Sequence, residues 1–520
     1  MIFYYRNIIK REMDKEFEKF IISILSRSNL SSKTLERFTN YKSMSLFRQA
    51  FTHESVSPTL NFQYLELNGD PFINLIASNY VRNRFPKVIS LEWLVEMAHN
   101  LQSKLTLPLL AKKLGFEKYV RVSGTFSEGE YNIILEDVFE AFIGVISTIL
   151  DKGAAYAVSY EIVSSLYDNI NIKLDNNIFN PITRLKEIFD KEVWGEPLVY
   201  TTKEFGNFKT KIYRRVLDKE KMLISEGVGI TSEIATKTAS LNGLTILAKQ
   251  GIKERIRNPF VQREEKNIVT RLEKPASIPH GFKNICKKVF RYAGIIDEEI
   301  NNFLSPPQLQ LLRTSLVSPN YSPTYNNNLL KFKGDSTVDF ILVGYITLKS
   351  TLRKEGILTK IKHSITKGYI YPKFAKKFGL VEYALLAEEM KEEEREHGFL
   401  CRAFIGAFTH VINSKYGMGV GEELAYQLMT KFFDEEKLNV STSVIDDPIT
   451  SLKEMYTQRG WIFNPPGDKS IKHALSEDGI YTVTIYGGNG RILASATGRT
   501  LKETKIKAAR LGIENLKNRF

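Results

Sequence analysis

Two pairs of carboxylates have the residue types and spacing that phosphodiester chemistry would need. Glu66 and Asp70 are four residues apart, and Asp137 and Glu140 are three apart. On a helix, each pair would lie on one face. Both segments are otherwise strongly apolar, so burying these carboxylates is costly unless a cation offsets their charge. Four converging carboxylates would suit Mg²⁺ or Mn²⁺, which prefer hard oxygen ligands and can activate water for phosphodiester hydrolysis.

Acidic pairs at these spacings are common, and most of them belong to solvated helix faces. Either pair alone is therefore weak evidence for a catalytic site. The interpretation depends on what the rest of the chain adds.

The composition favours a polyanionic partner. The 520 residues carry a formal net charge of +14, with a pI near 9.3, which indicates nucleic acid or an anionic membrane surface. The two cysteines, Cys286 and Cys401, fit neither a disulfide framework nor a zinc site and favour a reducing compartment. No apolar run approaches the roughly 18–20 residues of a membrane span.

The chain repeats itself, which predicts a tandem duplication. The segment 180–189 recurs at 447–456, and Ala141–Gly144 recurs as Ala403–Gly406. The matches keep their order at an offset of about 265 residues. Because chance matches would not keep both order and offset, we expect two copies of one two-part unit.

Each copy is expected to begin with a helical part and to end with a smaller α/β part. Apolar residues recur at helical spacing in 91–114 and 136–150. In the second copy, a helix at 449–459 leads into alternating strands at 480–485 and 491–497. Gly487–Gly490 is expected to form the hairpin turn between them, and 500–518 the final helix.

Four segments together resemble the ribonuclease III family. Leu65–Asp70 and Asp137–Gly144 resemble its two signature motifs, Phe51–Ser55 its short upstream motif, and Leu105–Gly115 its intervening helix. The resemblance implies an all-α endonuclease domain that works as a dimer and cleaves double-stranded RNA with Mg²⁺. It also implies the catalytic residues and metal ligands, which are Glu66, Asp70, Asp137 and Glu140.

Three residues depart from the family pattern near the first motif. Gln63 stands where the family usually has an acid, and Asn68 where it has leucine. Pro71 follows Asp70 directly, which predicts either a helix that restarts at Asp70 or a kink. Either alternative would move Glu66 relative to Asp70.

The second copy is predicted to be catalytically inactive. Its counterparts of the four carboxylates, in the same order, are Lys331, Asp335, Phe399 and Arg402. The two cations would repel a divalent ion and are expected to pair with Asp335. The chain would then form an intramolecular pseudo-dimer with one intact site and cut one strand per binding event. A homodimer that cuts both strands is left open.

The two smaller parts resemble the double-stranded RNA-binding domain, with its α-β-β-β-α order. The resemblance implies RNA contacts from a first-helix glutamate, the first β-hairpin loop and the start of the last helix. The predicted RNA-binding residues are Glu454 in the first helix, Lys472 and His473 in the hairpin loop, and Arg499, Lys502 and Lys505 at the start of the last helix. In the first copy, Ser232, Glu233 and Thr236 replace the expected lysines, so that domain is expected to pack or position. For any lone cation here, a solvated surface residue is the competing interpretation.

These inferences predict a mainly α chain with α+β modules. The expected domains are an N-terminal extension (1–30), an intact ribonuclease III domain (31–155), a degenerate RNA-binding domain (178–252), an inactive ribonuclease III-like domain (276–437) and a second RNA-binding domain (445–520). Linkers are expected at about 155–178 and 253–275.

The predicted function is metal-dependent hydrolysis of double-stranded or hairpin RNA, with no membrane partner. The alternative is a non-catalytic double-stranded RNA-binding or ribonucleoprotein structural protein with a vestigial nuclease fold. The protein is expected inside the cell, with the cytoplasm favoured and the nucleus and mitochondrion left open.

Overall fold

The structure is a computed structural model that describes residues 15–204, 206–216, 220–261, 274–350, 352, 355–367, 370–441, 448–461, 471–476, 478–488 and 490–518. Seven side chains within these ranges lie outside the description, namely those of Lys367, Thr450, Glu454, Thr457, Gln458, Lys502 and Asn518.

Two helical halves and two small sheets make up the described chain. The first half contains α1 (15–25), α2 (Ser32–Thr39), α3 (Tyr41–Ala50), α4 (Gln63–Arg84), α5 (Leu91–Leu101), α6 (Thr106–Leu114), α7 (Glu128–Ile149) and α8 (Lys152–Tyr167). The second half contains α11 (Phe282–Tyr292), α12 (Asp297–Phe303), α13 (Pro306–Thr314), α14 (Asn328–Lys349), α15 (Glu355–Lys367), α16 (Ile370–Lys377), α17 (Glu394–Tyr416) and α18 (Val420–Glu435).

Each helical half is followed by an α-β-β-β-α module with an antiparallel sheet. The first module contains α9 (Pro181–Lys191), β1 (Leu198–Glu204), β2 (Asn207–Arg215), β3 (Lys221–Gly229) and α10 (Ser232–Lys249). The second contains α19 (Pro448–Gln458), β4 (Ile471–Leu475), β5 (Tyr481–Tyr486), β6 (Ile492–Gly498) and α20 (Leu501–Asn518). The compact units are Met1–Leu438, which includes the first module, and Asn439–Phe520.

The expected elements are found with small shifts. The two predicted strands correspond to β5 and β6, and the turn between them is closed by a hydrogen bond from the Gly487 amide to the Arg491 carbonyl, 2.8 Å long. The helical stretch expected at 91–114 is two helices, α5 and α6, separated by residues 102–105. The linker expected at 155–178 begins inside α8, where Tyr156, Ile162 and Leu166 are buried.

The two long central helices, α4 and α14, pack against each other in opposite directions. The Tyr64 hydroxyl donates to the Thr347 carbonyl over 3.2 Å, Phe72 and Phe340 form an edge-to-face pair at 4.7 Å, and the Ser78 and Ser336 hydroxyls are 2.8 Å apart. Residue numbers rise along α4 as they fall along α14. Each helix thus faces the core of its own half and one helix of the other half.

Candidate active site

The close crossing of α4 and α7 positions the four predicted carboxylates. A Cβ built on Gly69 would lie 1.8 Å from the Glu140 carbonyl oxygen, and one built on Gly144 would lie 1.9 Å from the Leu65 carbonyl oxygen. Only glycine allows backbones to approach this closely. Because Asp70 follows Gly69 directly and Glu140 lies at the same crossing, the two motifs meet there.

The carboxylates share one electrostatic environment. Burial raises the pKa of Glu66, and the nearby Asp137 carboxylate raises it further. Burial also raises the pKa of Glu140 well above its ordinary value, with added repulsion from Asp70 and Glu66. The pKa values of Asp137 and Asp70 are raised for the same main reason. The charged forms are therefore unfavourable until a cation arrives.

The described residues supply little compensation for this charge. Asn74 donates to Asp70 over 3.1 Å, while Glu66, Asp137 and Glu140 have no hydrogen bond or ion pair to a side chain within the described ranges. In those same ranges, no three His, Cys, Asp or Glu side chains are gathered as a ready-made set of metal ligands. Oxygen donors with uncompensated charge fit a hard divalent ion that retains part of its water shell.

Glu136 is a fifth carboxylate of this region that the sequence analysis missed. Its residue is 8% exposed, and its Oε2 atom is buried without a hydrogen-bond partner. Burial, with repulsion from Asp70, raises its pKa to about 7, although Lys104 opposes the shift. The signal was present in the sequence, because Glu136 precedes Glu140 by four residues and so shares its helix face.

The second helical half also contributes charge to the site. The Glu355 carboxylate, in the first turn of α15, raises the pKa values of Glu66 and Asp137. The Lys362 ammonium, 2.7 Å from the Asp339 carboxylate, opposes the rise in the pKa of Asp70. These residues are far from the motifs in sequence, and only the packing of α15 against α4 brings them near.

The counterparts of the carboxylates in the second half form an ion-paired cluster, as expected. Lys331 Nζ lies 3.0 Å from Asp335 Oδ2, and Arg402 Nη1 donates to Asp335 Oδ1 over 3.0 Å. The Lys331 ammonium lies over the Phe399 ring at 4.4 Å. The helix crossing is the same, since a Cβ on Gly334 would lie 1.8 Å from the Arg402 carbonyl oxygen.

The residues that depart from the family pattern are accommodated locally. Helix α4 is continuous through Pro71 from Gln63 to Arg84, so of the two predicted alternatives the restart at Asp70 is wrong. Buried residues lie on both sides of Pro71, from Leu65 to Val81, and their packing offsets the missing amide. The Gln63 amide donates to the Glu54 carboxylate over 3.0 Å, and Asn68 Nδ2 donates to the Tyr64 carbonyl over 2.8 Å.

The placement of two predicted RNA-binding residues was wrong. Lys472 and His473 lie in β4, opposite Thr484 and Val483, and not in the hairpin loop. Strand β4 stays paired with β5 as far as Leu475, so the connection between the two strands begins only after both residues. Arg499 is exposed before α20 and Lys505 is half-buried within it, whereas the side chains of Glu454 and Lys502 lie outside the described residues.

The first module is attached to the first helical half. Arg257, whose side chain is 2% exposed, lies 2.7 Å from Glu92 on α5 and 2.5 Å from Glu187 on α9. Lys237, near the start of α10, is paired with Glu233 at 2.8 Å. Glu187, the glutamate on the first helix of this module, is therefore already paired with Arg257.

Some known proteins are similar to the first half of the chain, and others are similar to most of it. Residues 43–167 match the family model described as ribonuclease-III-like. A frog virus 3 (isolate Goorha) protein named as a ribonuclease 3 is 29% identical over 219 residues, which cover 40% of this chain and 57% of that relative. The match thus spans little more than half of that relative's length.

Two further similarities extend over more of the chain. A protein of Acanthamoeba polyphaga mimivirus, also named as a ribonuclease 3, is 23% identical over 491 residues, covering 86% of this chain and 87% of the relative. The solved Dicer of Giardia intestinalis is 14% identical with a TM-score of 0.35, covering 72% of this chain and 54% of that structure.

Within the described residues, no helix is long and apolar enough to cross a membrane.

Proposed function

Because the chain belongs to the ribonuclease III family, we propose that it hydrolyses phosphodiester bonds of double-stranded RNA at Glu66, Asp70, Asp137 and Glu140. The observation that carries the proposal is the glycine-mediated crossing of α4 and α7. It brings two carboxylate pairs into one electrostatic environment, and none of the four has an ion pair among the described residues.

The four carboxylates are proposed to hold Mg²⁺ or Mn²⁺. When bound, the ion supplies an activated water and stabilises the leaving oxygen of the phosphodiester. The chain's own contribution is to hold the carboxylates ready. Asn74 fixes one oxygen of Asp70, and the buried apolar neighbours Leu65, Val138 and Phe139 keep the surroundings poorly hydrated, which strengthens attraction for a cation.

The second helical half is proposed to support this site without an equivalent of its own. Lys331 and Arg402 place two cations where the first half has Glu66 and Glu140. An intramolecular pseudo-dimer of this kind has one hydrolytic site, so each binding event should cut one strand. The net charge of +14 favours the polyanionic substrate.

Cleavage of duplex RNA by matched variants tests the enzymatic proposal. The two strands carry different end labels, and wild type is compared with Glu140→Gln and with Glu128→Gln, an exposed carboxylate in the first turn of the same helix. Glu140→Gln should lower the cleavage rate roughly a hundredfold or more and abolish the rise in melting temperature on adding Mn²⁺. Glu128→Gln should do neither.

Two results would reject parts of this proposal. If wild type binds the duplex but cuts neither strand in Mg²⁺ or Mn²⁺, the protein is a non-catalytic RNA-binding protein. If a monomer, verified by light scattering, cuts both strands at equal rates, the single-site proposal is wrong.

A further inference from the structure

We propose that the ion-paired cluster of the second half, formed by Lys331, Asp335, Phe399 and Arg402, is a metal-free binding site for a backbone phosphate of the uncut RNA strand. This inference rests on the proposed function, because it requires a duplex that reaches both helical halves. It assigns the cluster a ligand and not only a structural role.

The first argument is the position of the two cations. Gly334 and Gly406 reproduce the crossing made by Gly69 and Gly144, with built Cβ atoms 1.8 Å from the Arg402 carbonyl oxygen and 2.1 Å from the Leu330 carbonyl oxygen. Arg402 thus replaces Glu140 at the crossing itself. A side-chain cation at this place can neutralise a phosphate directly, where the first half needs carboxylates and a divalent ion.

The second argument is the charge balance. Lys331 and Arg402 share the single carboxylate of Asp335, each at 3.0 Å, so the cluster retains a net positive charge. Arg402 uses Nη1 for this pair. Its Nε and Nη2 atoms have no described hydrogen-bond partner, and they are not among the buried polar atoms, so they are open to a ligand. A guanidinium suits the forked geometry of phosphate oxygens.

The third argument is that the cations are accessible but held in place. The side chains of Lys331 and Arg402 are each 23% exposed. Lys331 lies over the Phe399 ring at 4.4 Å, and Arg402 lies over the Tyr371 ring at 4.8 Å. Aromatic faces attract cations and restrict their motion, which reduces the entropy lost when a ligand binds. Phe399, the counterpart of Asp137, therefore supports Lys331, and Tyr371 supports Arg402.

The fourth argument comes from the facing helices. Helix α15 packs against α4 and brings Glu355, which has no ion pair among the described residues, towards the acidic site. Helix α5 packs against α14 in the same way, but its first-turn acid, Glu92, is bound by Arg255 and Arg257. The first-turn acid of α5 is thus neutralised by two arginines, whereas the first-turn acid of α15 has no ion pair among the described residues.

Duplex-RNA binding in EDTA, measured over a range of salt concentrations, tests the site without cleavage. Lys331→Gln combined with Arg402→Gln should weaken binding and reduce the slope of log affinity against log salt by about one, because the site holds one phosphate. Arg291→Gln removes an equally ion-paired cation elsewhere in the second half, 2.5 Å from Asp297, and should leave the slope unchanged. Lys331→Gln alone, with weaker binding and a smaller decrease in slope, replaces the double variant if that protein does not fold.

Asp335→Asn separates phosphate binding from a purely structural ion-pair cluster. Removing the shared carboxylate frees both cations, so RNA binding should become tighter even if the melting temperature falls. An unchanged or weaker affinity in Asp335→Asn, or an unchanged salt slope in the lysine and arginine variants, would overturn the inference. Cleavage by wild type in Mg²⁺ judges the proposed function separately, since these binding measurements contain no metal.

Discussion

At the scale of single residues, burial controls the chemistry of the acidic site. Glu136 and Glu140 are each 8% exposed, and desolvation is the main reason that their pKa values are raised. Mutual repulsion adds to this effect. In contrast, Asp335 sits between two cations at 3.0 Å. Burial instead raises the pKa of Asp70, the counterpart of Asp335 in the first half, so the carboxylate position kept in both halves has opposite surroundings in each.

The pH dependence of stability in the metal-free protein follows from the raised pKa of Glu136. An unfolded glutamate releases its proton near 4.5, whereas Glu136 in the folded chain holds it until about 7. Between these values the folded state binds more protons, so its stability falls as pH rises. In EDTA, the melting temperature of Glu136→Gln should rise relative to that of wild type as the pH increases from 4.5 to about 7.

The comparison has a built-in control. Glu128→Gln, on the exposed first turn of α7, should follow wild type across the same pH range. A constant difference between wild type and Glu136→Gln at every pH would contradict the assignment of a buried, unpaired carboxylate at position 136.

At the scale of elements, two glycines on two helices decide whether the motifs meet. Gly69 on α4 and Gly144 on α7 each face the other helix's backbone within contact distance. Pro71 does not interrupt α4, whose buried face extends on both sides of it. Packing of the whole helix therefore outweighs the local cost of the proline, about 3 kcal/mol in a helix interior.

Gly69→Ala should separate α4 from α7. The added methyl would lie 1.8 Å from the Glu140 carbonyl oxygen, so the helices must move apart. We expect a loss of about 3 kcal/mol in unfolding free energy, measured by urea denaturation, together with loss of cleavage. Gly356→Ala is the matched control, because its helical position has nothing within 4 Å of a built Cβ. It should be neutral or slightly stabilising, and equal destabilisation by both substitutions would refute this account.

At the scale of the compact unit Met1–Leu438, ion pairs and backbone contacts attach the first module to the first helical half. Arg257 links Glu92 on α5 to Glu187 on α9, and the amides of Ile89 and Ser90 both donate to the Pro259 carbonyl over 3.1 Å. These contacts favour a positioning role for this module, in line with its lack of the expected lysines at Ser232, Glu233 and Thr236.

Arg257→Ala should release this attachment. Removing a buried cation that serves two carboxylates should cost roughly 3 kcal/mol, and hydrogen exchange should accelerate in residues 170–180 and 250–260. Arg255→Ala is the control, since Arg255 is 40% exposed and its contacts to Glu92 and Glu187 are 3.3 and 4.0 Å long. If exchange is equally slow in wild type and Arg257→Ala, the module is held by other contacts.

The sequence by itself indicated two copies of a helical part followed by a smaller α/β part, because repeats and helix and strand periodicities are local properties. The α-β-β-β-α order of the smaller parts was implied only by their resemblance to double-stranded RNA-binding domains. It also identified the four carboxylates and their altered counterparts, since the motifs are contiguous. Lys472 and His473 were misplaced because the register of β4 depends on its pairing with β5, which a single segment does not encode. Glu136 could have been found from its spacing to Glu140.

Only the tertiary structure decided which residues surround the site. Glu355 and Lys362 approach the first set of carboxylates because α15 packs against α4, although they lie more than two hundred residues away along the chain. Likewise, Glu92 is neutralised because Arg257 returns to α5 after the first module. Charge interactions act through space, so the charges that surround each cluster depend on how the helices pack. The residues of the clusters themselves were already given by the sequence motifs.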